Sequence, residues 1–331
     1  MSDLSRLPWP FSPEERAFRY AVNVEPARRR VETPAGSWGE HVIDLGDDYV
    51  EQMTLRRELL ARDPGRRQVL PHMEPACWDM LLFLLRELVV ARPDAMHLSG
   101  EGRAFSWRND LLGIEQSFVL GDASTLPTDP LTWIACQVPD DILMVSDRGG
   151  RLWFDAALVT WAAAWSVKFD VGMHLDEIHG PVPGLNEHGV TSRATRFMRS
   201  LTPDVVYRRV NWTFSAHGSP RRDISLETKP DWDADIPQLI EDGDWSRLQL
   251  RIELEHLTRL PLTGTLTFNI RTYMAPLSEI ATIPTWSEQL ADVLVELPQD
   301  IAEYKGLAGY RDEAAQWLRR ATAASAAPLP A

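Results

Sequence analysis

Cysteine is scarce in this chain, and its scarcity excludes several kinds of site. Cys77 and Cys136 are the only cysteines in 331 residues. Two thiols cannot form a four-thiolate zinc site or iron–sulfur cluster, and they argue against a disulfide framework.

Long apolar segments are also missing. Residues 1–16 lack the apolar stretch of a secretory signal. The longest apolar run, at 156–167, is about half as long as the roughly 20 residues that a membrane-spanning helix needs. We therefore expect a soluble, cytoplasmic protein that does not have a membrane as its partner.

Positive charge is in deficit. The chain has 34 Lys and Arg residues against 48 Asp and Glu, a formal net charge of −14. Nucleic acids and anionic membranes would repel such a chain, so we expect neither as its main partner. The apolar fraction of 44% is that of a globular protein, and 13 tryptophans indicate either an aromatic core or a broad apolar cavity.

The common signatures of enzyme families are absent as well. No G-x-G-x-x-G follows a predicted strand, and there is no phosphate loop, H-E-x-x-H helix or G-x-S-x-G turn. Each absence is weak evidence, but together they disfavour an ordinary dehydrogenase, kinase or hydrolase.

The pattern of apolar residues predicts helices, then strands, then helices again. Residues 47–62 and 74–91 have helical periodicity, and residues 286–320 form a final helical region that breaks at Gly306. Between them, β-type patterns occur at 97–107, 131–137, 142–145, 152–160, 205–214, 248–257 and 265–273. This order predicts an α+β fold with an antiparallel sheet and flanking helices.

The same reading predicts one domain over residues 47–320. Residues 1–46 are rich in Pro and Arg and are expected to wrap over its surface. Residues 215–246 form a polar insertion, interpreted as a long hairpin excursion. Residues 321–331 have low complexity and are predicted to be a flexible tail.

The densest chemistry lies in residues 165–184, where His174 and His179 precede Pro181 and Pro183. Proline fixes its own φ and restricts the residue before it, so a histidine next to this bend is held in place. A fixed ring suits an axial metal ligand, although a ring that merely hydrogen-bonds the loop fits equally well. His174 lies before the rigid bend and is interpreted as a surface or supporting residue.

Several blocks of sequence, taken in order, resemble one known family. The central block is Glu177-Ile178-His179-Gly180-Pro181-Val182-Pro183-Gly184. The others are Leu7-Pro8-Trp9-Pro10-Phe11-Ser12, Arg209-Val210-Asn211-Trp212, Arg251-Ile252-Glu253-Leu254-Glu255-His256-Leu257-Thr258-Arg259-Leu260-Pro261, Phe268-Asn269-Ile270-Arg271-Thr272-Tyr273 and Tyr304-Lys305-Gly306. Over nearly its whole length the chain resembles the haem-dependent oxidative N-demethylase alpha-subunit family.

The resemblance implies a PAS-like antiparallel sheet that encloses a b-type haem. It also implies oxidation of a small secondary amine by O2, with a primary amine and formaldehyde as products. In that family separate partner subunits carry the flavin and the iron–sulfur centre, which agrees with the low cysteine count.

The resemblance also suggests roles for individual residues. His179 is the expected axial ligand of the haem iron. Asp141, and more weakly Asp140, are candidates for the anion that binds a protonated amine. The remaining candidates are Glu253 as a catalytic residue, Arg56 as a distal donor, and Arg251, Arg259, Arg209 or Arg208 as partners of the haem propionates, although these charged rows could also face solvent.

Departures from the family pattern keep two other hypotheses open. The family's V-Q-E-D-L block is Val138-Pro139-Asp140-Asp141-Ile142 here, and its C-F-P-S-x-W block keeps only Trp165. These changes allow a haem-binding sensor or carrier without turnover. A non-haem metalloenzyme that uses His174, His179, His188 and nearby carboxylates is the third hypothesis.

Overall fold

The computed structural model describes residues 3–19, 23–203, 205–216, 223–228 and 235–326. Its strands are β1 (Glu25–Pro26), β2 (Val31–Thr33), β3 (Gly36–Trp38), β4 (Arg67–Val69), β5 (Met96–Glu101), β6 (Ala104–Asn109), β7 (Ile114–Val119), β8 (Asp141–Arg148), β9 (Arg151–Leu158), β10 (Tyr207–Ser215), β11 (Gln249–Arg259) and β12 (Leu266–Pro276). Its helices are α1 (Tyr49–Arg62), α2 (Glu74–Ala91), α3 (Pro130–Ala135), α4 (Val167–Asp170), α5 (Leu175–Ile178), α6 (Val190–Ser200), α7 (Asp235–Asp242), α8 (Leu277–Ile280), α9 (Pro284–Val295), α10 (Gln299–Tyr304) and α11 (Arg311–Ala326).

The main sheet has seven strands in the order β1-β10-β11-β12-β8-β9-β4, and every adjacent pair is antiparallel. A separate three-stranded sheet contains β5, β6 and β7. Helices flank the main sheet and share apolar clusters with its strands. The predicted α+β class, with an antiparallel sheet and flanking helices, is therefore confirmed.

The strand prediction for residues 131–137 is wrong. These residues lie mostly in helix α3, because Asp129 caps its first turn by accepting from the amide of Thr132 at 3.0 Å, and Pro130 occupies the first helical position. An aspartate followed by proline is a signal for the start of a helix. These residues therefore form a helix although their run of apolar side chains is also typical of a strand. Strand β7 and helix α7 were not predicted.

The predicted polar insertion and the predicted tail fall partly outside the described residues. Of the polar insertion at 215–246, residues 217–222 and 229–234 are not described, and the described part contains α7, which buries Leu239. In the predicted tail, α11 continues to Ala326, and residues 327–331 lie outside the description. The predicted helical break is confirmed, since Gly306 has φ +71° between α10 and α11.

The two largest apolar clusters of the described residues pack against the main sheet. The larger one surrounds α2 and includes α3, β8 and β9. The second joins β10, β11 and the C-terminal helices to the segment that begins the chain, in which Trp9 stacks on Trp286 with ring centroids 4.5 Å apart. The Trp9 indole N–H donates to Gln289 at 2.8 Å, so this tryptophan is part of an aromatic core with its polar atom satisfied.

Strand β11 gives the sheet one apolar and one charged face. Leu250, Ile252 and Leu254 point one way, and the alternating residues Arg251, Glu253 and Glu255 point the other way. All of them are buried, with Glu253 only 8% exposed. We call the side of Arg251, Glu253 and Glu255 the polar face. The alternative that this row is the solvent face of the sheet is therefore wrong, because it is covered by other parts of the chain.

Candidate functional site

A short helix places His179. Helix α5 begins after His174, whose main-chain N–H donates to the Glu177 carboxylate at 3.0 Å and closes a capping box. The His174 ring is 8% exposed and packs edge-on against Trp153 with centroids 5.5 Å apart. The ring is therefore buried, so the surface position predicted as one alternative for His174 is wrong, and the supporting role stays a prediction. His179 is the residue directly after this capped helix.

The contacts of the His179 ring fix its tautomer. Its Nδ1 lies 2.8 Å from the carbonyl oxygen of Leu175, one turn earlier. Because a carbonyl can only accept, Nδ1 carries the proton and Nε2 keeps its lone pair. Within the described part of the chain, Nε2 has no hydrogen-bond partner. Burial lowers the pKa of the ring, and the positive charge of nearby Arg209 lowers it further, so the imidazole is neutral, as a metal ligand must be.

Arg209, on the polar face of the sheet, lies close enough to His179 for its charge to lower the pKa of the ring. The strand register places Arg209 opposite Glu255, and Asn211 opposite Glu253. Glu253 accepts from Asn211 at 3.2 Å and from Arg251 at 3.0 Å, while Glu255 forms an ion pair with Arg209 at 3.0 Å. Burial raises the pKa of Glu255 to about 7 even though the charge of Arg209 opposes the rise. A carboxyl group with such a pKa can take up and release a proton near neutrality.

The C-terminal helices add a lysine to the same region. Lys305 follows α10, and its ammonium group donates to the Trp212 carbonyl at 2.6 Å. Burial lowers its pKa to about 8, against the opposing charges of Glu253 and Glu255. Neither Lys305 nor Glu255 was among the predicted site residues. The Tyr304-Lys305-Gly306 block and the alternation of charge along β11 were the signals that could have found them.

Arg56 and Asp141 form a buried ion pair at 2.9 Å, with exposures of 0% and 2%. The Arg56 guanidinium also donates to the side chain of Thr160 at 2.9 Å. Its other hydrogen bonds go to the main-chain carbonyls of Ala135, Val138, Pro139 and Asp140. The structure therefore places Arg56 at the centre of the loop between α3 and β8 rather than at an open cavity.

Asp141 connects this pair to the polar face. Its carboxylate accepts from the main-chain amides of Thr160 and Trp161, at 2.9 and 2.8 Å. The Trp161 carbonyl in turn accepts from Arg251, which holds Glu253. A continuous chain of hydrogen bonds thus leads from Asp141 through the main chain of Trp161 to Glu253, and the pair acts on the site through the position of that segment.

The other predicted arginines separate into different places. Arg251 is fully buried on the polar face and donates to Thr272 at 3.2 Å as well as to Glu253. Arg259 donates to the carbonyls of Leu201, Gly264 and Arg199, about 13 Å along the strand from Glu255. Arg208 lies on the opposite face and is 1% exposed. One of the two neighbours Arg208 and Arg209 was expected on a solvated surface, and Arg208 is not that residue.

Arg209 differs from these arginines because one nitrogen of its guanidinium group makes no hydrogen bond with a described residue. Its side chain is 29% exposed and pairs with Glu255. Its Nε is buried, yet it finds no hydrogen-bond acceptor among the residues that the structure describes. A buried donor without a partner costs free energy, which makes this atom a candidate for a bound anionic group.

Asp140 stands beside the ion pair but lacks its partners. It is 0% exposed, and neither carboxylate oxygen has a hydrogen-bond donor in the described ranges. Burial raises its pKa to about 7, although the charges of Arg271 and Arg56 oppose this. The carboxyl group is therefore largely protonated in the folded chain below neutral pH, whereas in the unfolded chain it ionises near pH 4.

This difference predicts how stability depends on pH. A folded-state pKa above the unfolded value stabilises the fold at acidic pH, and that stabilisation is lost as pH rises towards about 7. Asp140→Asn should therefore make the protein more stable than wild type at pH 8, on the order of 4 kcal/mol for a rise of about three pKa units, with the advantage shrinking at pH 4. Urea unfolding at both pH values measures this. Asp147→Asn, which alters an exposed pair with Arg199, should show no such trend, and an equal effect in both variants would contradict the assignment.

One observation limits the kinds of metal site. Among the residues described, no three His, Cys, Asp or Glu side chains come together in a group that could hold a metal ion. The hypothesis of a non-haem site built on His174, His179 and His188 thus lacks its ligand set. In contrast, a porphyrin iron needs only one protein ligand, because the macrocycle supplies the other four nitrogen donors.

Comparison with protein families identifies the chain. Residues 34–315, most of its length, match the family model described as haem-dependent oxidative N-demethylase, alpha subunit-like. The chain belongs to this family. The family name makes the protein an alpha-subunit-like relative of a haem-dependent oxidoreductase, and it implies that other subunits exist. No helix among the described residues is long and apolar enough to cross a membrane.

The residues around His179 fit the haem that the family name implies. Haem needs a neutral imidazole nitrogen, an apolar surface and cationic partners for its propionates. His179 provides the nitrogen and Arg209 an unpartnered buried donor. Ile178, Trp165 and Val171 pack on a buried apolar cluster of Phe154, Ala157, Val159, Ala162 and Val167 next to the same turn.

Proposed function

We propose that this chain is the haem-binding catalytic subunit of an oxidative N-demethylase with a PAS-like fold. It would oxidise a small secondary amine with O2 to a primary amine and formaldehyde, in the cytoplasm. The observation that carries the proposal is the geometry of His179, whose Nδ1 donates to the Leu175 carbonyl while Nε2 stays free. The family match supports the same reading.

In this proposal His179 Nε2 ligates haem b, and Arg209 pairs with a propionate through its free Nε. Arg251 and Arg259 were expected to share that role. Arg251 is better placed to hold Glu253, and Arg259 is occupied by three main-chain carbonyls. Haem, when bound, would supply the activation of O2. The protein's part is to hold the amine, exclude water and move protons.

The protonated amine needs an anion, since an alkylammonium loses much of its hydration in a buried site. We assign this role to Glu253. Its two oxygens are oriented by Arg251 and Asn211, so it is held in one geometry before the substrate arrives. Asp141 was the other candidate, but its carboxylate is 2% exposed and already accepts from Arg56, Thr160 and Trp161.

Proton movement falls to Glu255, beside Glu253 on the polar face. Its pKa of about 7 lets it accept a proton from the bound ammonium and later return it to solvent. Burial lowers the pKa of Lys305 to about 8, and the side chain lies close enough to Glu253 and Glu255 for their charges to act on this pKa. Arg56 and Asp141 then serve as positioning residues that hold the Trp161 segment above this face.

Electrons would come from partner subunits that carry a flavin and an iron–sulfur centre. The two thiols of this chain support such a division. Cys77 is buried, and burial raises its pKa to about 12, while burial also raises the pKa of Cys136. Thiols of this kind do not favour the thiolate form that an iron–sulfur cluster binds.

The proposal is tested by spectroscopy and by product analysis on the full-length protein. Purified protein reconstituted with haem should show a Soret band that shifts on reduction. With a flavoprotein reductase and NADPH as electron source, it should release formaldehyde from N-methyl secondary amines under O2. A haem-loaded, reducible protein that releases none from any amine tested would instead support the sensor or carrier hypothesis.

Glu253→Gln should weaken amine binding strongly. A charged hydrogen bond is worth about 1.5–3 kcal/mol, so the KM for the amine should rise at least about tenfold. Formaldehyde release as a function of amine concentration measures this. Glu303→Gln is the matched control, because Glu303 is an exposed glutamate on neighbouring α10. An unchanged KM in Glu253→Gln would assign the amine to another group.

A further inference from the structure

Asp170 is a buried carboxylate that lacks a counter-ion. It is the last residue of α4 and is 7% exposed. Among the residues that the structure describes, no group donates a hydrogen bond to its carboxylate and no cation pairs with it. Its oxygens are not closed off from solvent, as both oxygens of Asp140 are. A ligand can therefore reach this carboxylate, and burial without a partner favours one that is positively charged.

A second carboxylate lies close to Asp170. Glu227 accepts a hydrogen bond from the hydroxyl of Ser166, and the Ser166 carbonyl accepts from the main-chain N–H of Asp170 at 3.0 Å. Burial raises the pKa of Asp170 to about 6, and the negative charge of Glu227 contributes to the rise. Two carboxylates in one place repel each other, and a bound cation removes that repulsion.

Exposed apolar side chains lie beside this pair of carboxylates. Phe169 precedes Asp170 and is 68% exposed, and Leu226 precedes Glu227 and is 47% exposed. The main-chain N–H of Leu226 donates to the Trp165 carbonyl at 3.3 Å, so its segment is fixed next to the residues that lead into α4. Large apolar side chains that stay exposed together indicate a surface for binding. A ligand that suits this surface carries apolar groups as well as a positive charge.

Tyr304 connects this surface to Glu253. Its side chain is 49% exposed. Burial raises the pKa of its hydroxyl, and the charges of Glu253 and Asp170 raise it further. Both carboxylates therefore lie within electrostatic reach of one tyrosine, although they belong to different elements. We call Asp170, Glu227, Phe169, Leu226 and Tyr304 the Asp170 site. It lies next to the part of the polar face to which the amine is assigned.

A metal ion fits this site poorly. Ca²⁺ takes six to eight oxygen ligands and Mg²⁺ takes six in a strict octahedron. No group of three His, Cys, Asp or Glu side chains in the described ranges could hold a metal ion. An alkylammonium ion needs fewer acceptors, because its methyl groups contact apolar side chains and its charge is attracted to an aromatic ring.

We propose that the Asp170 site binds a small alkylammonium ion at the solvent-exposed end of the polar face. The Asp170 carboxylate accepts from the N–H groups of the ligand, and the methyl groups lie against Phe169 and Leu226. The inference rests on the proposed function in one respect, since the ligand is the amine that Glu253 then receives. A cation held here raises the local concentration of amine beside Glu253.

Equilibrium dialysis of ¹⁴C-labelled dimethylammonium chloride against the full-length protein tests this site. O2 is excluded, so that no amine is consumed. We expect two binding sites in the wild type and one in Glu253→Gln. Asp170→Asn should weaken the remaining site at least about tenfold, because a hydrogen bond to a charged group is lost. Leu226→Ser should weaken the same site about threefold through loss of apolar contact.

Asp47→Asn is the matched control, since Asp47 is an exposed aspartate that precedes α1, and it should keep both sites. Binding in Glu253→Gln that survives Asp170→Asn unchanged would overturn the proposal. Displacement of the probe by ammonium chloride as well as by unlabelled dimethylammonium would also overturn it, because the apolar side chains would then contribute nothing. A single site that depends on Asp170 but not on Glu253 would contradict the role of Glu253 and still support the Asp170 site. Circular dichroism of each variant checks that the fold is kept.

Discussion

Replacing His179 by glycine should abolish most haem binding. Groups that hydrogen-bond to a metal ligand typically contribute 10–100-fold in metal affinity, so loss of the ligand itself should weaken haem binding by at least about a hundredfold. The Soret band of the reconstituted protein and its haem stoichiometry measure the loss. Added imidazole should restore much of the band, because the glycine leaves space where the ring was and the Leu175 carbonyl can still accept.

His188→Gln is the control for this experiment. His188 is an exposed histidine in the same segment, and its substitution should leave the spectrum unchanged. His174→Ala should have a different effect, since it removes the ring that packs against Trp153 at the start of α5 and would broaden or weaken the band without a rescue by imidazole. A His179→Gly protein with a normal spectrum would show that the ligand is elsewhere.

Arg56→Met should destabilise the protein by about 3–5 kcal/mol, because it leaves the Asp141 carboxylate buried without its cation. The four carbonyls that Arg56 binds between Ala135 and Asp140 would lose a donor as well. Guanidinium chloride unfolding of the haem-free protein measures this. Arg56→Lys should cost less, since the charge remains but the fork of donors is lost.

The neighbouring residue provides the matched control. Arg57 is exposed on the same helix, and Arg57→Met should change the free energy of unfolding by less than about 0.5 kcal/mol. Arg56→Met combined with Asp141→Asn should cost less than the sum of the two single changes, because the buried charge is then removed. A cost of Arg56→Met no larger than that of Arg57→Met would contradict the role of the pair.

The fold class and the central motif were both predictable from sequence. Helical and two-residue periods are local properties of the chain, so α2 and strands β8 to β12 were predicted nearly within their bounds. The order of the motif blocks led to the family, which the match over residues 34–315 confirms. The proline bend after His179 likewise indicated a fixed ring, because proline restricts the backbone wherever it stands.

Helix α3 and the roles of the charged residues required the folded structure. A short apolar run such as 131–137 suits a helix or a strand, and the capping contact of Asp129 decided for the helix. Arg56 and Asp141 are 85 positions apart, so no local pattern could show that they satisfy each other. Glu253 and Glu255 are two residues apart on β11, so their side chains share one face of the sheet in any register. Whether that face is exposed to water depends on which segments of the chain cover it. Burial and ion pairing join residues distant in the chain, so they are decided by tertiary packing.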